Sequence, residues 1–247
     1  MGRLTAAIKH LLIINILFFV ATNLYGDQMY QWFSLWFPKN DNFGLWQIIS
    51  HMFMHGGFMH IAFNMYALYA FGSPLEQMWG KNKFFFFYFS AGLGAALIHT
   101  GVNYYHFNEG MTALVEAGVS KSSVMDIIAN GQYSPEWYNL AGKSTIENFL
   151  SAYNTPAVGA SGAIYGVLVA FGMSFPNSEL FLIFLPVPVK AKYFIPVLIG
   201  LDLFSGVTGY SLFGQGIAHF AHVGGALFGF LMMWYWKKNQ FNKNRWN

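Results

Sequence analysis

Thr155-Pro156-Ala157-Val158-Gly159-Ala160-Ser161-Gly162-Ala163-Ile164-Tyr165-Gly166 opens a long apolar run. A hydroxyl set among glycines, about a turn inside a helix hydrophobic enough to lie in lipid, is an unusual choice, because a polar group there is costly and tends to carry function. Ser161 therefore reads as a nucleophile, and the other segments as the walls that make it reactive. The composition agrees with a lipid setting. Hydrophobic residues make up 55% of the 247, aromatic residues 20% and charged residues 9%, against roughly a quarter charged in soluble domains. Without cysteine, disulfides, thiolate metal sites and a cysteine nucleophile are excluded. The net charge of +3 is spread in short clusters between apolar runs, which is not the footprint of a nucleic-acid partner.

Runs able to cross a hydrocarbon core need about 20 apolar residues. Six segments are read as spans, at about residues 11–25, 50–71, 84–104, 156–175, 191–204 and 217–236, of which the first and fifth are shorter than that length. The first lacks an Ala-x-Ala cleavage pattern and is followed by more spans, so it reads as a retained helix and not a signal peptide. Residues 26–49 are rich in Trp, Tyr and Phe and suit the membrane–water interface. Residues 103–154 form a polar insertion, with pieces at 111–118 and 122–129 able to make short surface helices and apolar content too sparse for a sizeable core of its own. The chain thus reads as one all-α, six-span membrane domain.

Six spans put both termini on one side. Arg3, Lys9, Lys81, Lys83, Lys190, Lys192, Lys237, Lys238, Lys243 and Arg245 fall on that side, and Lys39, Lys121 and Lys143 opposite. The positive-inside rule then predicts cytoplasmic termini in a cell (inner) membrane.

With that topology, Ser161 in span four and His222 in span six each lie about five residues, roughly 7–8 Å, below the same end of parallel helices. They can meet at one depth. Gly162 and Gly166 on one helix, Gly225 and Gly229 on the other, are small-residue faces that let backbones approach closely. A serine hydroxyl becomes nucleophilic when a base takes its proton, and histidine is the usual base. Donors for an oxyanion are also needed. His60 and Asn64, four apart on span two, can project to one point, and the Ser161 N–H is a third candidate.

Gly159-x-Ser161-Gly162 with Tyr165, Ala221-His222-Val223-Gly224-Gly225 with Gly229, and His55-x4-His60-x3-Asn64 resemble the rhomboid family of intramembrane serine proteases, in the family's order and over nearly the whole chain. Glu76 with Gly80, and Asp202-Leu203-Phe204, also resemble family positions. The resemblance implies a six-transmembrane-helix rhomboid-like bundle and a Ser161–His222 dyad with no acid. It implies oxyanion residues His60 and Asn64, and Tyr165 packed against the catalytic imidazole. The implied substrates are transmembrane segments of membrane proteins, met in the lipid bilayer and cleaved near the outer face, with no cofactor and no metal. Two departures stand out. Gln47 follows Trp46 where the family often has Arg, removing a cation from the interfacial loop, and the loop between spans three and four is long.

Other assignments are blander. His55 is expected to be a structural hydrogen-bond donor, and Asp202 to brace a helix end or loop. His219 is expected to lie near an aqueous cavity, and His99 and His106 at the interface. His51, His55 and His60 are spaced poorly for one ion, and His-Glu-x-x-His is absent. A catalytically silent relative that binds transmembrane helices is the competing class. A transporter is disfavoured, since the polar residues cluster at one depth and form no path across.

Overall fold

The computed structural model describes residues 4–182, 185–210 and 218–243. Arg3, Ile217 and Arg245, which entered the span and charge assignments, lie outside the described residues. The helices are α1 (Ala6–Tyr25), α2 (Asp27–Phe33), α3 (Gln47–Ser50), α4 (Phe58–Trp79), α5 (Lys81–Glu116), α6 (Lys121–Ala129), α7 (Trp137–Ala141), α8 (Lys143–Asn154), α9 (Ser161–Ser174), α10 (Ala191–Thr208) and α11 (His219–Lys243). A 3-10 turn, His51–Phe53, follows α3. The otherwise helical chain also has a small antiparallel hairpin, β1 (Glu179–Leu182) and β2 (Leu185–Lys190), with Glu179 opposite Lys190 and Leu180 opposite Val189.

Among the described residues, α1, α5 and α10 are long and apolar enough to cross a membrane, and α9 is apolar but only 14 residues long. α4 and α11 reach 22 and 25 residues. Their apolarity is diluted by polar residues, His60, Asn64 and Glu76 on α4, and His219, His222 and the Lys237-Lys238 end on α11. That dilution is why a run of apolar letters overstated how many helices qualify as spans by composition.

α9 is the central post. Its glycines bring it almost into backbone contact with α11. A Cβ on Gly225 would lie 1.8 Å from the Gly162 carbonyl oxygen, and one on Gly229 would lie 2.6 Å from Gly166 Cα. At the same place, a Cβ on Gly162 or Gly166 would meet the Ala95 or Ala91 Cβ of α5 at 2.5 Å. Small residues thus bring α5, α9 and α11 together at one three-helix contact.

Two expected boundaries move. The helix expected from residue 156 begins at Ser161, because Thr155 is extended and Ala157 is tied into a bridge with Leu35. Leu35 and Ala157 exchange both backbone hydrogen bonds at 2.9 Å, Gly159 N–H donates to the His51 carbonyl at 2.9 Å, and Gly159 has φ +124°. The helix expected from residue 50 begins at Phe58, after an extended Met54. At the other end of the molecule α1 starts early, at Ala6. Its first amides are satisfied from α4, where the buried Glu76 carboxylate accepts from Ala7 N–H at 2.7 Å, Ile8 N–H at 3.0 Å and the Thr5 hydroxyl.

α5 is one unbroken helix of 36 residues, roughly 54 Å long against a hydrocarbon core of about 30 Å. Its C-terminal half absorbs the piece expected as a separate surface helix at 111–118 and carries the 103–154 stretch as a cap. The cap is better packed than its sparse apolar letters suggested. Phe107, Met111, Leu114, Val124, Ile128, Trp137, Ile146 and Phe149 form a buried cluster that Phe37 joins from the loop after α2. Phe107 stacks within 5.2 Å of Phe149 and 4.9 Å of Phe37, and Lys39 sits 4.7 Å above the Phe107 ring.

Candidate active site

Ser161 is the first residue of α9, and the opening amides of a helix have no intrahelical acceptor. Its hydroxyl lies 2.8 Å from Nε2 of His222, the fourth residue of α11. The close approach of Gly162, next to Ser161, to Gly225, about a turn after His222, permits that distance, because it leaves no side chain between the two helices. The Tyr165 ring stacks on the His222 imidazole with centroids 4.3 Å apart and planes at 11°.

The next residue inward was not expected at the site. Asp202, on α10, is 3% exposed, and its Oδ1 accepts from His222 Nδ1 at 3.1 Å and from His219 Nδ1 at 2.6 Å. Its Oδ2 accepts from the Tyr165 hydroxyl. The expected loop-bracing role therefore gives way to a carboxylate placed behind the imidazole. His219, expected merely near water, shares that carboxylate. Sequence spacing hid this, since Asp202 and His222 are on different helices, and only their packing brings them into register. Asp202, His219 and His222 place donor atoms within 4.8 Å of one another, close enough for one divalent ion. Their mutual hydrogen bonds occupy those atoms without one.

His60 is presented from the first turn of α4. Its Nδ1 accepts from Gly56 N–H at 3.3 Å, so a neutral ring carries its proton on Nε2. That Nε2 faces the nucleophile: a Cβ added at Gly159 would lie 2.9 Å from it and 3.5 Å from Ser161 Oγ. Asn64, one turn on, is buried and donates one amide hydrogen to the His60 carbonyl at 2.8 Å, which leaves a second hydrogen on the same nitrogen. His55 is fully buried, its Nδ1 donating to the Phe53 carbonyl at 3.3 Å and its ring edge-on to His60 at 5.0 Å. His51 donates from Nδ1 to the Gln47 carbonyl at 2.7 Å, and its own carbonyl pins Gly159.

Gln47, expected to alter how the loop sits in lipid, is completely buried. Its Oε1 accepts from Trp36 N–H at 3.2 Å, and its Nε2 donates to the carbonyls of Asn42, Gln31 and Trp32 at 2.7, 3.1 and 3.3 Å. It is an internal tie for the loop, where an arginine side chain would meet carbonyls on one side only.

Ser161 and His222 open onto a groove of about 2060 Å³ walled by α4 and α10 and floored by α9. Phe58, Met59, Phe63 and Tyr66 on the α4 wall are exposed. The rim toward the cap is polar, with His99, Asn103 and His106 from α5, and Asn148 and Ser151 from α8. His99 and His106, expected at the interface, thus line the groove.

A mostly helical membrane bundle with a serine and a histidine paired at the mouth of an apolar groove defines the class. The chain belongs to the rhomboid family: the Rhomboid domain model matches residues 42–141 and 137–239. Similar proteins include human Presenilin-associated rhomboid-like protein, mitochondrial, 30% identical over 74% of this chain and 35% of that protein. Yeast (Saccharomyces cerevisiae) Rhomboid protein 1, mitochondrial, is 26% identical over 77% of this chain and 42% of its own. Rhomboid protease AarA of Providencia stuartii is 29% identical over 76% of this chain and 54% of its own. The chain therefore spans about a third to a half of the length of these relatives. The mitochondrial names among them overturn the assignment to a cell (inner) membrane with cytoplasmic termini. A Lys/Arg asymmetry ranks the two sides of a membrane; it does not say which membrane.

Proposed function

We propose that this protein is an intramembrane serine endopeptidase that hydrolyses peptide bonds in or beside the transmembrane segments of other membrane proteins. The observation that carries the proposal is the 2.8 Å Ser161 Oγ to His222 Nε2 contact at the mouth of the groove. His222 Nε2 takes the Ser161 proton as Oγ attacks the scissile carbonyl. The developing oxyanion is met by His60 Nε2–H, the remaining Asn64 amide hydrogen and the Ser161 N–H, groups fixed before substrate arrives. His222 then returns the proton to the leaving amine, and water releases the acyl-enzyme by the reverse path.

The groove supports a transmembrane-helix substrate. Its α4 wall is aromatic and apolar, as a lipid-embedded segment requires, while the polar rim near the cap offers partners for the backbone amides that a locally unwound helix exposes. This supports a reading in which cleavage occurs near the membrane face that carries the cap and substrates with small or helix-breaking residues there are favoured, since unwinding them costs about 1–3 kcal/mol less per Gly or Pro.

The test is cleavage of a single-span substrate by purified protein in liposomes, comparing wild type with Ser161→Ala and His222→Ala. Cleavage by wild type alone is the expected result. Equal cleavage by all three overturns the assignment, and a folded wild type that cleaves none of several helix-labile substrates favours a silent helix-binding protein.

A further inference from the structure

His222 has two ring nitrogens, and only one of them faces Ser161. A base that is to accept a proton at Nε2 must carry its own proton on Nδ1, and something must hold that tautomer. The buried carboxylate behind His222 is suited to this. Oδ1 of Asp202 is 3.1 Å from His222 Nδ1. An ionised carboxylate only accepts hydrogen bonds, and this one faces three donors, the Nδ1–H of His222, the Nδ1–H of His219 and the Tyr165 hydroxyl. Tyr165 closes the arrangement: its hydroxyl holds Oδ2 while its ring lies flat on the imidazole that Oδ1 orients. One side chain therefore fixes both the carboxylate and the plane of the base.

We propose that Asp202 is a positioning residue that completes a Ser161–His222–Asp202 relay in place of a two-residue dyad, with His219 and Tyr165 holding the carboxylate in register. The proposal rests on the protease reading above. When Ser161 gives its proton to His222 Nε2, the Nδ1 proton stays where it is. The imidazolium so formed lies between Asp202 and the new acyl group, and its Nε2 proton leaves with the amine. Asp202 stabilises that cation without itself being protonated.

The experiment measures kcat and KM for Asp202→Asn beside wild type and Ser161→Ala, with the thermal midpoint in detergent and the imidazole 15N spectrum of His222. Asparagine keeps the size of the side chain but removes the charge and lets an amide N–H face Nδ1. The expected result is a fall in kcat approaching about 10⁴-fold, the size of loss on neutralising the acid of a Ser-His-Asp triad. KM is expected to stay within about twofold, because Asp202 touches the base and not the substrate. The 15N spectrum should move from the Nδ1–H tautomer in wild type toward Nε2–H in the variant.

A variant with kcat near wild type overturns the proposal. So does a loss of activity that tracks a lowered thermal midpoint with the His222 tautomer unchanged, since that is what a mere brace would give. Should Asp202→Asn fail to fold, the wild-type spectrum alone decides, because an Nε2–H tautomer at rest contradicts the relay. If Ser161→Ala cleaves as well as wild type, the protease reading fails instead, and the two failures are told apart.

Discussion

At the residue scale, the site depends on one backbone position that only glycine can fill. Gly159 has φ +124°, in the left-handed region that L side chains avoid, and the space its missing Cβ leaves is shared by His60 Nε2 and Ser161 Oγ. Gly159→Ala is expected to strain the backbone by about 1–3 kcal/mol and to push His60 off the oxyanion position. If His60 is the proposed oxyanion donor, its loss lowers kcat by about 10²- to 10³-fold, while the thermal midpoint falls little, a split that steady-state kinetics and thermal denaturation in detergent will read. Gln47 predicts the opposite balance. Gln47→Ala takes a partner from the half-buried Trp36 N–H and from the carbonyls of Asn42, Gln31 and Trp32, the last of which keeps the Trp46 indole N–H, and a group left unpaired and shut from water costs about 1–3 kcal/mol. Its signature is a lowered thermal midpoint with kcat of the surviving folded enzyme preserved, since Gln47 touches no proposed catalytic group.

At the scale of elements, the spacing between α9 and α11 is the quantity that decides whether a serine and a histidine can react. Gly225→Val would drive a side chain into the Gly162 carbonyl and is expected to separate Ser161 from His222 and abolish cleavage. Gly101→Ala, on α5 with nothing within 4 Å of the new methyl, is the matched control. It is expected to keep activity and to gain about 0.4–1 kcal/mol of stability from a less flexible unfolded chain. The seating of α1 hangs on a single carboxylate. Hydrogen bonds to charged groups contribute about 1.5–3 kcal/mol each, and Glu76→Ala removes the acceptor of both the Ala7 and Ile8 amides. Those two amides should then exchange with solvent much faster while the core of α9 stays protected, which hydrogen exchange with mass spectrometry will show.

At the scale of the whole molecule, the cap is packed onto the bundle beside the groove and away from Ser161 and His222. It is continuous with α5, stapled to the loop after α2 by Phe37 and by Asn40, whose side chain donates to the Tyr153 carbonyl at 2.9 Å, and it supplies part of the groove rim through Asn148 and Ser151. Phe149→Ala, in the middle of its buried cluster, is expected to destabilise the cap by about 3–5 kcal/mol. The expected outcome is faster limited proteolysis within the cap and a raised KM for a single-span substrate, with kcat little changed.

How far the sequence carried can be judged from particular residues. The pairing of Ser161 with His222 and the glycine faces that permit it were legible because they rest on helical spacing along the chain, and the packing of Tyr165 on the imidazole was implied by the resemblance to the family. The start of α9 was misplaced by five residues because Pro156 suits a first helical turn, and nothing local announces that Leu35, far away in sequence, will claim Ala157 for an extended bridge. Gln47 was read only as the loss of a cation from an interfacial loop because a single polar letter in an aromatic stretch carries no sign of the four backbone groups that will surround it. The sequence by itself determined a membrane-embedded helical bundle of the rhomboid family and the two residues proposed to do its chemistry, since hydrophobic runs and helical spacing are properties of the chain. Only the tertiary structure decided where the carboxylate of Asp202 lies, which nitrogen of His60 faces the nucleophile and how the cap is anchored. Each of those is a meeting of side chains or backbone groups from different elements, fixed by how closely the helices pack and by which buried polar atoms must find a partner.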